Sequence, residues 1–224
     1  MKIIRPHPDV VHVRAPNQEI LARAFIRLQE FYESPYPAIR GNYFTLAEFE
    51  DLYTEDHGTP FSYYKDWKGF NVPGRIVRRF ARAFAGGLTA DEALLISCAP
   101  MDYLIGTYRN EDFTHEYAHA MFHLSNAYCT RARRLVAKFE SKQWSLSVIF
   151  RSWLAREGYT PEVFADEINA YFATNTLSDF EDDFHETDAK LLHRAAAPFR
   201  ELYADLPRII GRGRKPVDTK RKAR

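Results

Sequence analysis

His115, Glu116 and His119 form an H-E-x-x-H pattern within Phe113-Thr114-His115-Glu116-Tyr117-Ala118-His119-Ala120-Met121-Phe122-His123. On an α-helix, residues four apart share a face, so the two imidazoles can aim at one point. That is the arrangement of two nitrogen ligands on a zinc ion, each about 2.0–2.1 Å from the metal. Glu116 follows the first histidine and points beside the metal, where a carboxylate polarises water instead of coordinating. The flanking Phe113, Tyr117, Ala118, Ala120, Met121 and Phe122 are apolar or small, which suits a buried helix beneath a cleft. Histidine and glutamate on such a helix are costly unless paired or metal-bound.

Zinc hydrolases commonly use two His and one Glu and leave the fourth position to water. A carboxylate stands 48 residues past His119, in Asp166-Glu167-Ile168-Asn169-Ala170-Tyr171. Glu167 leads because its helix is well patterned, with Ile168, Ala170, Tyr171 and Phe172 beside it. Asp166 is an alternative, and so are His185 and His193, since a three-histidine site is chemically sound. His123 lies eight residues past His115, about 80° away around an ideal helix, and lines the cleft or simply packs. Tyr171, one turn beyond Glu167, is the candidate hydroxyl donor to an oxyanion; the competing reading is a core ring with a bonded hydroxyl.

The segment Tyr103–Tyr108, the HEYAH helix and the DEINAY helix together resemble the gluzincin class of zinc metallopeptidases, particularly its minimal single-domain members, over residues 103–173. The resemblance implies a zincin-like α+β fold in which His115, His119 and Glu167 bind Zn2+ and Glu116 is the general base. It also implies that Tyr103–Tyr108 is the edge strand that pairs with an extended peptide or protein substrate. The expected chemistry is hydrolysis: zinc brings the pKa of water to about 7, and Glu116 moves the proton to the leaving nitrogen. Metzincins are excluded, because their pattern needs Gly at 122 and His at 125, where this chain has Phe122 and Ser125. A different class stays open, a metallopeptidase-like scaffold that binds or lies latent without peptidase turnover. An accidental motif on a metal-free helical protein is the third reading.

The elements around this motif read as mainly α with a small β part. Ile20, Leu21, Ala24, Phe25, Leu28, Phe31 and Tyr32 recur at helical steps behind Asn17, a capping residue. Thr45-Leu46-Ala47-Glu48 and Thr89-Ala90-Asp91-Glu92 are capping boxes that open two further helices. The first should bury Phe49, Leu52 and Tyr53 and stop near Gly58; another helix is expected from Arg75 to Phe84. Residues 61–73 (FSYYKDWKGFNVP) read as an irregular, aromatic loop, packed into the core or stacking rings on bases. Tyr103–Tyr108 is the best strand candidate, and helices follow near 112–124, 126–141, 145–157, 161–173 and 187–204.

With 224 residues, the chain is long enough for one sizeable core, expected over 1–210 with an aromatic half to residue 100 and a metal-site half beyond. Cys98 and Cys129 are too few for a disulfide framework or a four-cysteine zinc site. No apolar run approaches a membrane span, and the first residues lack a signal-peptide stretch, so a cytoplasmic protein is expected. Residues 211–224 hold seven Lys/Arg and one Asp, leaving 24 Lys/Arg against 29 Asp/Glu in residues 1–210. This reads as a mildly acidic body with a solvated, disordered basic tail, whose contact with nucleic acid or an anionic surface is a weaker expectation. Asp179-Phe180-Glu181-Asp182-Asp183 reads as a solvated acidic turn, and Asp166, Asn169 and Asp179 as partners for ligating histidines.

Overall fold

The computed structural model describes residues 1–58, 60–98, 101–174, 182–207 and 209. Among these the chain is mainly helical, with ten helices and a four-stranded sheet, an α+β protein. The basic tail and Asp179–Glu181 lie outside the described residues. Among the described residues no helix is long and apolar enough to cross a membrane. The chain falls into two compact units, Met1–Ala120 and Met121–Arg224.

In the first unit, β1 (Lys2–His7) and β2 (Val10–Arg14) form an antiparallel hairpin. Then come α1 (Gln18–Glu33), α2 (Leu46–His57), α3 (Tyr63–Asp66), β3 (Gly69–Pro73), α4 (Gly74–Ala83), α5 (Ala90–Ser97) and β4 (Tyr103–Thr107). The helix α6 (Glu111–Leu124) begins here and crosses the division between the units. The helix starts follow local chemistry. Asn17 accepts from Ile20 N at 2.9 Å to cap α1, and Thr45 and Thr89 form complete capping boxes on α2 and α5.

The sheet runs β1-β2-β4-β3, with β2 parallel and β3 antiparallel to β4. Strand periodicity divides its residues between two faces. The registers align Val11 with Leu104 and Val13 with Gly106, and Phe70 and Val72 oppose the same two β4 residues. This face meets α1, whose Phe25 stacks on Phe70 at 5.2 Å between ring centroids. A Cβ on Gly106 would stand only 2.5 Å from Phe25 Cε2 and 3.0 Å from Leu21 Cδ1, so glycine lets α1 approach. The other face carries Gly69, Asn71, Tyr103, Ile105, Thr107 and His12, and it meets the start of α6, where Phe113 lies 4.6 Å from the His12 ring.

The edge-strand expectation for Tyr103–Tyr108 is corrected here. The strand exists at Tyr103–Thr107 but lies inside the sheet between β2 and β3, and all five residues are buried. A short apolar run with a partner on both sides is what an interior strand looks like. The edges are β1 and β3, and β3 is drawn from the segment read as an irregular loop. Its rings are in the core: Tyr63 and Phe70 are buried, with Phe61 and Trp67 packed against them. Ile20 also departs from expectation, being exposed at the start of α1.

A buried ion pair ties α1 to α5: Arg27 Nε donates to Glu92 Oε1 at 2.7 Å, and Arg27 Nη2 to the Gly87 carbonyl at 2.7 Å. Glu92 Oε2 also accepts from Thr89 N, so one carboxylate serves both the cap and the pair.

The second unit is helical. Ser125 caps α7 (Asn126–Lys142), followed by α8 (Trp144–Arg156), α9 (Phe164–Thr174) and α10 (Glu186–Ala204). Its core stacks Phe139, Phe150, Trp153, Phe172 and Phe199 in mostly tilted and edge-on pairs, the arrangement that aromatic quadrupoles favour. Asn169, fully buried on α9, accepts from the Tyr128 hydroxyl at 3.1 Å.

Two measurements test this packing. Gly106→Ala forces a methyl against Phe25 and should lower unfolding free energy by about 1–3 kcal/mol in a urea titration. His12 bonds Thr107 Oγ1 at 2.8 Å inside the sheet face, and burial, helped by the charge on Arg14, lowers its pKa to about 4. Between the ordinary value of 6.5 and about 4 the unfolded chain binds a proton that the folded chain refuses. Stability therefore falls as pH drops through that window, by on the order of 2–3 kcal/mol. His12→Gln, which does not titrate, should flatten that part of the urea-midpoint profile.

Candidate metal centre

The helix α6 carries Glu111 and Asp112 in its first turn, favourable against the positive end of the helix dipole. Ala118 and Ala120 are fully buried, so small side chains let the helix sit close to its neighbours. Phe113 seats the first turn on His12, and one turn later Glu116 reaches β3.

Glu116 is buried and rests on the sheet. Asn71 Nδ2 donates to Glu116 Oε2 at 2.7 Å, and the Tyr103 hydroxyl donates to Asn71 Oδ1 at 2.7 Å. A Cβ on Gly69 would lie 2.3 Å from Glu116 Oε1, so the carboxylate occupies the space that any other residue at 69 would fill. The strand period places Gly69 and Asn71 on the same face, two residues apart, to make this seat.

His115 and His119 turn their Nε2 atoms toward each other at 3.2 Å, with the rings near perpendicular at 75°. Two nitrogens bound at about 2.05 Å and subtending a tetrahedral angle would be about 3.3 Å apart. Burial, with the neighbouring His119, holds the His115 pKa well below the usual histidine range. Its ring is therefore neutral at physiological pH, the form that offers a lone pair to a metal.

Glu167 sits on α9 and is buried. His115 and His119 belong to the first unit and Glu167 to the second. Two imidazoles and a carboxylate are the donor set of catalytic zinc sites with an open fourth position. Asp166 shares α9 with Glu167, His185 precedes α10 and His193 lies on it. His123 is exposed. Tyr171 is buried, with its ring edge-on to Phe150 and Trp153 and its hydroxyl 3.2 Å from that of Tyr159. A hollow of about 460 Å3 in the second unit, lined by Trp144, Val148, Arg151 and Phe164 among others, includes none of these donors.

Gly69, Asn71 and Tyr103 were not anticipated around Glu116. A Gly-Phe-Asn-Val-Pro string has poor strand propensity, and only the pairing with β4 reveals that its odd positions face the helix. Comparison with known proteins adds no relative: no family model fits the chain, and no curated protein or solved structure matches it significantly.

Proposed function

We propose that this chain is a zinc-dependent hydrolase, most specifically a metallopeptidase acting on a peptide or protein substrate. The observation that carries it is the convergence of two imidazole Nε2 atoms at 3.2 Å on the helix that also holds a buried, oriented carboxylate one residue away.

His115, His119 and Glu167 would hold the ion, their single formal negative charge offset by a divalent cation. When bound, zinc supplies a Lewis acid that makes a water molecule acidic enough to ionise near neutral pH. Glu116 accepts the proton of the attacking water and returns it to the leaving nitrogen, as a general base and then a general acid. Its acceptor role requires an ionised carboxylate, which the donated hydrogen bond from Asn71 favours. Tyr171 is assigned the donor role toward the reacting carbonyl oxygen, at present shared with Tyr159.

Elemental analysis of the purified protein should find about one zinc per chain, and His115→Ala or Glu167→Ala should lose it. Glu116→Gln should keep the zinc and lower hydrolysis of a quenched fluorescent peptide library by about 100- to 10,000-fold. Tyr171→Phe should keep the zinc and lower turnover by about 10- to 100-fold. Zinc without turnover in the wild type would favour a latent or binding scaffold; no zinc after reconstitution would leave a metal-free His–His contact.

A further inference from the structure

We propose that Asn71, fixed in its orientation by Tyr103, is the residue that positions the Glu116 carboxylate. This deepens the hydrolase reading and rests on Glu116 being its base.

The hydrogen bonds of the three groups run in one direction. Asn71 Nδ2 donates to Glu116 Oε2 at 2.7 Å, so the NH2 of the amide faces the carboxylate. The carbonyl oxygen of Asn71 then faces Tyr103, whose hydroxyl must donate. Tyr103 is buried within the sheet, in register opposite Pro73 and two residues from the partner of Asn71, so its hydroxyl cannot swing into bulk water. A flipped amide would set oxygen against oxygen at Glu116 and waste the tyrosine proton. The chain Tyr103 to Asn71 to Glu116 therefore fixes the amide and, through it, the carboxylate.

Oε2 is held by the amide, while Oε1 lies over the bare Cα of Gly69. The two strand residues thus fix both carboxylate oxygens from one sheet face. Supporting groups of this kind are what hold a reacting side chain in a productive geometry, where a misplacement of about 1 Å can cost 100-fold in rate. Asn71 touches Glu116 and Tyr103 touches Asn71, so both are positioning residues.

The first test needs no turnover. In the full-length, uniformly 15N-labelled protein, the Asn71 side-chain amide signal, identified by its loss in Asn71→Asp, should exchange slowly with solvent and move in Glu116→Gln. The second test uses the zinc-loaded protein and the best-cleaved member of a quenched fluorescent peptide library. Asn71→Ala should keep its zinc and lower kcat by about 10- to 100-fold with KM within about twofold. Tyr103→Phe should lower kcat by about 3- to 10-fold, and should have no further effect once Asn71 is alanine, because the two act as one chain.

A fast-exchanging amide that ignores Glu116→Gln, or unchanged kcat in a zinc-loaded Asn71→Ala, overturns the positioning role and leaves the hydrolase reading standing. Losses that multiply in the Asn71→Ala/Tyr103→Phe double variant overturn the role given to Tyr103. A wild-type protein that binds zinc without cleaving any library member removes the reading beneath the assignment, even where the amide contact is seen. Should Asn71→Ala lose zinc or fold poorly, Tyr103→Phe and the amide signal decide the matter.

Discussion

A carboxylate can lie flat against the sheet at Glu116 because residue 69 has no side chain. Any Cβ there would meet Oε1 at 2.3 Å, a distance that real atoms do not tolerate. This close approach ties α6 to β3, because the glycine and Asn71 are both strand residues on one face. It also ties β3 to β4, since the amide that holds Oε2 is itself held by Tyr103. The opposite sheet face repeats the device at Gly106, where the missing side chain admits Phe25 of α1. Helix packing on both faces of so small a sheet thus depends on a glycine at each contact.

These contacts carry an electrostatic consequence. The interior-facing polar groups of the first unit are neutral or matched: His12 is held neutral against Thr107, and Arg27 meets Glu92. Glu30 is the instructive contrast. Burial raises its pKa, although the Tyr63 hydroxyl donates to it at 2.8 Å and opposes that rise. Ser34 and the charge on Arg40 oppose it as well, and together these groups do not outweigh desolvation there.

Helix starts and the pairing of His115 with His119 were legible because each is written in local spacing. Asn17, Thr45 and Thr89 cap as their side-chain chemistry dictates, and His115 and His119 meet because four residues make one turn. The helix that carries Glu167 was legible from its periodicity. The sheet was largely invisible for the opposite reason. β1 and β2 are defined by pairing, and β3 contains Gly, Asn and Pro, residues that argue against a strand when read alone. Pro73 is tolerated because β3 is an edge strand, with β4 as its one partner, and Gly69 because a carboxylate fills its place. The order of β4 and β3 is a long-range fact, and so the buried β4 was mistaken for the edge. Asn71 was lost with its strand.

The angular layout of α6 explains how one helix serves both tasks. At about 100° per residue, Phe113, Glu116 and Ala120 fall within about 60° of one another and form a single stripe. Phe113 and Glu116 contact the sheet, and the methyl of Ala120 keeps that stripe narrow. His115 and His119 lie on the adjacent stripe, about 100° and 60° from Glu116. Glu116 is therefore anchored by the sheet while the imidazoles beside it are left to converge on each other. If Glu116 were one residue earlier or later, it would either leave the sheet contact or leave the side of the histidines. Adjacency of His115 and Glu116 in sequence is thus a geometric requirement: it is the spacing at which a carboxylate can be held by Asn71 and still stand next to the paired nitrogens.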